Sequence, residues 1–377
     1  MLKRIRDLWR DQRGMSFAFV GIGLMTFMAA TTLAIDVGMF MTARTQAQTS
    51  ADAGALAGAT ALVFNNWDDR SATGPAVQSA LSAAQQNTVM MGVVSVQPSD
   101  VTFPTGPSGM ANRVKVNVFR TAGRSNPVNT LLGSMLGVST IDIAATATAE
   151  ASPAGGMTCV KPFIIPDKWI ENTNPPWNIN TSTFTRYDNR GNVIPNADVY
   201  DPTRGYSTMD IGTQLILRAG SGNNIQPTFY FSWAMPPNTG AAWYEQNIVN
   251  CNTTVIDRGY VATQEPGNMV GPTIDGLQQL LNEDPGAYWD DANKKYVSTK
   301  NPSPRVFPIP LYNPDTYDYG KQTGRNATLV VANWLGFFLE SVSGNQAYGR
   351  IFPITGVSST SAPTPTTPLA YVIRLVQ

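Results

Sequence analysis

The sequence predicts an α+β chain. A long N-terminal transmembrane helix continues into a small α+β domain, and a β-rich domain, a sandwich or an irregular barrel, follows. Three observations predict this. Met15 to Ile35 is a run of 21 residues without an ionisable side chain. Residues 37–64 contain no proline and carry alanine and glycine at helical spacing. All 13 Tyr, six of the eight Trp and 21 of the 27 Pro lie in residues 157–377, where short apolar runs are broken by Pro, Gly and Asn, a β-type pattern.

The N-terminal run is predicted to span a membrane. At about 1.5 Å per residue it reaches ~31 Å, the thickness of a bilayer's hydrocarbon core. Residues 1–14 precede it as a basic leader, with Lys3, Arg4, Arg6, Arg10 and Arg13 against Asp7 and Asp11. Basic flanks stay on the cytoplasmic side, so the bulk of the chain is expected outside; in a bacterium this is the inner membrane, with the rest periplasmic or surface-facing. A cleaved signal peptide would have a shorter apolar region, ~7–15 residues, and a better cleavage site than Thr32-Leu33-Ala34. A buried core helix would leave the leader unexplained.

Composition narrows the chemistry. The 377 residues include 26 Lys+Arg, 26 Asp+Glu, two Cys and no His. Without histidine there is no Ser-His-Asp or Cys-His triad and no His-ligated metal. Two cysteines cannot build a four-thiolate zinc site. Zero net charge argues against nucleic acid as a partner. No catalytic residue, cofactor or metal ligand is expected, and the chain reads as non-enzymatic.

Beyond the anchor, residues 36–150 are expected to form the small α+β domain. Its helix carries a stripe of Ala47, Ala51, Gly54, Ala55, Gly58 and Leu62. Small residues let another element approach closely, and the stripe would pack either on the chain's own domain or on another subunit. Pro75–Met91 and Asn129–Leu136 are predicted helices. Val93–Val96, Val101–Phe103, Val114–Val118 and Thr140–Ala149 are predicted strands. A helix followed by a sheet and one more helix is pilin-like in outline. Residues 151–156 are small and Gly-rich and are expected to be a linker to the domain at 157–357. There, strands are predicted at Gln214–Arg218, Thr228–Trp233, Val306–Leu311, Ala327–Ala332 and Trp334–Val342, with a helix at Asp275–Leu281. Residues 358–377 read as a Pro/Thr-rich linker ending in a strand, Leu369–Val376, that adds to a sheet edge.

The N-terminal residues also resemble a known family. Gln12-Arg13-Gly14, the charge-free helix, Ala34-Ile35-Asp36-Val37-Gly38, Gln46-Ala47-Gln48 and the run from Ser50 through Ala51, Asp52, Gly54, Leu56 and Gly58 to Ala59 look like the TadG-like module of Flp/Tad pilus-assembly proteins. The family-motif residues are Arg13, Gly14, Asp36, Gly38, Ala51, Asp52, Gly54, Leu56 and Gly58. The resemblance implies a single-pass inner-membrane protein whose partners are the membrane and other Tad/Flp pilus-assembly proteins. The D-x-S-x-S loop of a von Willebrand A domain, found in longer TadG proteins, is missing from the sequence. Prepilin processing at Gly14 is not expected, because Phe19 stands where prepilins carry Glu. In the second domain, Cys159–Phe163, Glu265–Thr273, Asp284-Pro285 and Ser303–Arg305 resemble runs in the C-terminal halves of TadG-related proteins, which carry no assigned activity.

Several constellations could serve other functions. Cys159 and Cys251 fall in the exported part, where an oxidising compartment favours a disulfide; the alternative is two separate buried thiols. Tyr187–Asn192, followed by Asp198 and Asp201, offers oxygen ligands but lacks the EF-hand pattern, so a hairpin turn is expected before calcium. Glu265–Thr273 is expected to be a structured loop leading into the next helix. Glu265, Asp275, Glu283 and Asp284 would have to be paired at ~5–10 Å for hydrolase chemistry. Trp169, Trp177, Trp233, Trp243 and Trp289 would either fill the core or line a carbohydrate surface. The expected function is therefore protein–protein contact in pilus assembly or surface attachment, with a carbohydrate- or surface-binding module and an anchored hydrolase as alternatives.

Overall fold

The computed structural model describes residues 15–107, 109–220, 224–324, 327–359 and 369–376. The leader, including Arg13 and Gly14, lies outside the described residues. The first element is a single 50-residue helix, α1 (Met15–Phe64), about 75 Å long at 1.5 Å per residue. It contains no proline and 12 alanines, the residue that most favours helix.

The two halves of α1 have different surroundings. Almost every side chain from Phe17 to Ile35 is exposed, large apolar ones included. From Ala43 onward one stripe is fully buried: Ala43, Ala47, Ala51, Ala55, Ala59 and Leu62. The stripe packs on α2 (Pro75–Gln86) and on a sheet of β1 (Val101–Thr102), β2 (Arg113–Arg120) and β3 (Ile143–Pro153). Both strand pairs are antiparallel. In β2, Val114, Val116 and Val118 point to α1, and the residues between them are only partly buried. That is the period-2 pattern read in the sequence.

The predicted helix over Pro75–Met91 ends early, at Gln86. Met90 and Met91 have φ of 48° and 62°, in a turn closed by Val89 and Gly92. These angles cannot continue a right-handed helix. The predicted helix at Asn129–Leu136 is reduced to one 3-10 turn, Gly133–Leu136, because the preceding backbone N–H groups are bonded elsewhere, as described below.

The second domain contains a closed barrel. Its strands are β4 (Phe163–Pro166), β5 (Gln214–Ala219), β6 (Phe229–Ser232), β8 (Val306–Tyr312), β9 (Leu329–Ser343) and β10 (Gln346–Phe352), while β7 (Val261–Ala262) pairs with β9 outside the ring. The order β9-β8-β4-β6-β5-β10 returns to β9, so six strands close on themselves. Closure depends on β9. The predicted strands Ala327–Ala332 and Trp334–Val342 are one 15-residue strand, which pairs with β8 through its first part and with β10 through its second. Glycine is required where these strands cross: a Cβ on Gly336 would lie 2.4 Å from the Phe352 carbonyl oxygen, and one on Gly349 would lie 2.3 Å from that of Phe338.

One core joins Phe163, Leu217, Phe307, Ile309, Leu335 and Phe337 to Ile248 of α3 (Ala241–Val249) and to Leu277 and Leu280 of α4 (Val270–Glu283). The helix predicted from Asp275 thus begins five residues earlier. A second cluster takes Ile164, Tyr312 and Trp334 from the alternate faces of these strands, together with Trp169, Trp233 and Tyr317 of α5 (Pro314–Gln322).

The end of the chain returns to the first domain. β11 (Ile354–Thr355) and β12 (Ala370–Val376) extend its sheet in the order β1-β2-β3-β12-β11. β12 runs antiparallel to β3, with Tyr371 opposite Pro153 and Val376 opposite Thr148. Residues 151–156 are accordingly not a free linker. The first three finish β3, Ala154 is fully buried, and Gly156 and Met157 pair with Asp257 and Ile256. The two domains share a sheet.

Candidate functional site

The features that set this chain apart are concentrated on α1. It is long and apolar enough to cross a membrane, by length and composition. Where the charge-free run ends, Asp36 is buried among exposed neighbours. Its carboxylate accepts hydrogen bonds from the backbone N–H groups of Leu131 (3.0 Å), Leu132 (3.2 Å) and Gly133 (2.5 Å). Three backbone donors converge on this one carboxylate and form a clamp. It fixes a distant loop to the helix one turn after Thr32, which is also buried.

Further along, the small residues permit close packing. A Cβ on Gly54 would lie 3.0 Å from the Ala80 carbonyl oxygen and 3.1 Å from Ala84 Cβ. One on Gly58 would lie 2.8 Å from Val114 and 3.1 Å from Ala80 Cβ. As numbers rise along α1 they fall along α2, so the two helices are antiparallel. Ala47, Ala51, Gly54, Ala55 and Gly58 therefore lie against this chain's own α2 and sheet. Ser50 Oγ donates to the Ala84 carbonyl at 2.8 Å, and Gln46 Oε1 accepts from Met90 N–H at 2.8 Å. Leu56 packs at the edge of this core. Asp52 accepts from Gln48 Nε2 at 2.8 Å, and the same amide donates to the Thr146 carbonyl on β3. Gly38 faces open space.

In the second domain Cys159 and Cys251 form a disulfide across 92 residues. Lys161, two residues on, is buried, and its ammonium donates to the carbonyls of Ile248 and Asn250 at the end of α3. Burial pushes its pKa down to about 7. Asp167 is buried as well; burial raises it to about 6, although Tyr200 Oη donates to it at 3.0 Å. Sequence reasoning did not single out either buried charge. A lysine directly before the apolar run Pro162–Ile165 was the available signal for Lys161.

Tyr187–Asn192 is a hairpin turn. Asp188 N–H bonds Asn192 O, Tyr187 bridges Val193, and Gly191 has φ of 80°. The Asp188 carboxylate accepts from the N–H groups of Arg190 and Asn192, and that of Asp198 from Asn172, Thr173 and Thr185. Asp284 accepts from Ser298 and Ser303 hydroxyls at 2.7 and 2.6 Å. Burial opposes its ionisation, but these bonds and nearby Arg305 hold its pKa below the usual range. Glu265 Oε1 accepts from Gly240 N–H; the residue lies on a cavity of about 290 Å³ with Ser232, Asn268, Phe231 and Tyr317. Trp169, Trp233 and Trp289 are buried in the core clusters, Trp177 packs against two of them, and Trp243 Nε1 donates to the Met235 carbonyl. They do not form an open aromatic face.

Comparison with known proteins gives one match. The Tad family model, described as "Putative Flp pilus-assembly TadE/G-like", matches residues 14–61. No curated protein and no solved structure matches the chain. The matched residues cover both the exposed apolar half of α1 and most of its docked half, with Asp36 between them. Over residues 14–61 the chain is therefore similar to the TadE/G-like Flp pilus-assembly family.

Proposed function

We propose that this protein is a non-enzymatic, single-pass inner-membrane protein of the TadG-like kind. On this reading its N-terminus is cytoplasmic, and its two fused domains stand on the outer side, where they contact other Flp/Tad pilus-assembly proteins. The observation that carries the reading is the coincidence of the Tad match with one helix that is exposed and apolar up to Ile35 and docked beyond Ala43. In water, that first half would be an unshielded apolar rod; in a bilayer it is matched to its surroundings. The basic leader supports the orientation. The disulfide supports an oxidising compartment. The non-enzymatic reading is supported by the absence of histidine from the sequence and by the structural bonds that engage Asp188, Asp198 and Asp284.

Protease treatment of spheroplasts tests the topology: residues 36–377 should be accessible from outside and the leader protected. A deletion strain should lose pili or surface attachment, and site-specific cross-linking from the outer domains should capture pilus-assembly components. Unchanged piliation and attachment in the deletion strain would rule out the assembly role.

A further inference from the structure

The loop that Asp36 clamps exposes large apolar side chains. Between Arg124 and Asp142 the sequence has no charged residue. Within that span Val128–Asn129 pairs with Thr140–Ile141, and the loop between them bonds part of its own backbone. Thr130 N–H bonds Ser139 O, Met135 N–H bonds Leu132 O, Gly137 N–H bonds Ser134 O and Val138 N–H bonds Gly133 O. The Thr130 hydroxyl donates to the Val138 carbonyl at 2.7 Å, and the Asp36 carboxylate takes the N–H groups of residues 131–133. The large side chains the loop exposes are apolar, with Leu131 63%, Met135 75% and Val138 52% exposed, beside the small exposed residues Ser134, Gly137 and Ser139. A polar loop tip is the usual outcome in water, whereas a lipid boundary requires backbone groups to be satisfied internally and apolar side chains to face outward.

The height of the loop identifies what covers it. Asp36 directly follows Ile35, the last residue of the charge-free run. A loop bonded to Asp36 through three backbone N–H groups is therefore level with the end of that run. Leu33 and Val37, beside Asp36 on α1, are exposed and apolar as well. We infer that the Leu131–Val138 loop inserts its apolar side chains into the headgroup–acyl boundary of the membrane that α1 crosses, and so acts as a second membrane contact. This inference rests on the proposed anchoring of α1. It gives the long helix a defined tilt and rotation, because one side of the domain is held against the bilayer.

A second exposed apolar tip provides a control. Met91 is 97% exposed, but its neighbour Met90 is bonded to Gln46, ten residues beyond Asp36 and so about 15 Å further from the membrane. Full-length protein carrying Met135→Cys, Met91→Cys or Phe27→Cys is labelled with an environment-sensitive fluorophore, the native cysteines being joined to each other. It is then placed in phosphatidylethanolamine–phosphatidylglycerol vesicles containing shallow or deep spin-labelled lipid. The label at 27 should be quenched most by the deep quencher, that at 135 by the shallow one, and that at 91 by neither. If the label at 27 is quenched but that at 135 is not, the anchor stands and the loop contact is overturned. A blue-shifted but unquenched label at 135 would mean that protein covers the loop, which also overturns it. If the label at 27 escapes both quenchers, the anchoring reading fails, and this inference with it.

Discussion

The Asp36 carboxylate and the Gly133 N–H, 97 residues apart in sequence, meet at 2.5 Å where the apolar half of α1 gives way to the docked half. With Leu131 and Leu132 adding two more N–H donors, this side chain joins the helix to the loop between Val128–Asn129 and Thr140–Ile141. Asp36→Ala would leave these donors without their acceptor, each buried unpaired group costing about 1–3 kcal/mol. The loop should detach while the α1–α2 core persists. Hydrogen exchange should show protection lost at residues 131–133 and retained at residues 114–118. Unchanged protection at 131–133 would show that the clamp does not hold the loop.

Gly58 and Gly38 belong to the same motif, but only Gly58 should respond strongly to a larger side chain. A Cβ at 58 already lies 2.8 Å from Val114 Cγ1 and 3.2 Å from the Ala76 carbonyl oxygen. Gly58→Leu must push α2 and β2 apart, an overpacking cost of about 1–3 kcal/mol. Gly38 has nothing within 4 Å, so Gly38→Leu should leave stability within about 0.5 kcal/mol, as for exposed positions generally. Thermal melts of the two variants compare them directly. Equal stability would mean that the small-residue stripe is not tightly packed against this chain.

The C-terminal strand should be needed by the domain that begins the chain. Tyr371 is buried against Val63 and Ala151 and stacks on Trp67, with ring centroids 5.5 Å apart. Arg374, two strands from Arg113, shares Glu150 with it, at 3.7 and 2.6 Å. Tyr371→Ala removes an aromatic from a closed site and should cost about 3–5 kcal/mol. It should also free β12 to leave β3. Limited proteolysis should then release the C-terminal segment faster than from the unaltered protein, and an unchanged cleavage rate would contradict the docking of β12.

These comparisons also show where the sequence is legible. The long apolar helix and the stripe at Ala47, Ala51, Ala55 and Gly58 are local: one helical period places the stripe on one face whatever lies opposite. The strand around Val114–Val118 is legible for the same reason, and Trp233 and Trp334 are common core-fillers. The Asp36 clamp is not legible, because a motif aspartate gives no sign that its partners are backbone N–H groups near residue 132. Likewise, the alternation in Leu369–Val376 identifies a strand but not the sheet it joins. Its pairing with β3 crosses more than 200 residues. Residues 151–156 look like a linker because they are small, yet smallness is what lets them pass beneath other backbone: a Cβ on Gly155 would lie 2.8 Å from Ser359. Among the second domain's helices, α3 and α5 lack a strong apolar stripe of their own, and α3 is positioned by its packing on α4, where a Cβ on Gly276 would lie 2.9 Å from Ile248.

Lys161 should make stability depend on pH in a direction opposite to that of a salt-bridged lysine, whose folded pKa is raised. Its ammonium is enclosed at the end of α3, with Glu283 as the charged group that opposes the effect of burial. Burial lowers its pKa from 10.5 to about 7. Below pH 7 it is protonated in both folded and unfolded chains, and the folded protein bears the cost of an enclosed charge. Between pH 7 and 10.5 the folded form has released the proton and the unfolded form still binds it. Stability must then rise with pH, by about 1.4 kcal/mol per unit at the steepest. Lys161→Met removes this titration and leaves the other buried groups, Asp167 included, in place. Urea midpoints measured at pH 6, 7.5 and 9 should climb more steeply for the unaltered protein than for the variant. Parallel curves would show that Lys161 keeps its proton when folded, stabilised by the carbonyls of Ile248 and Asn250.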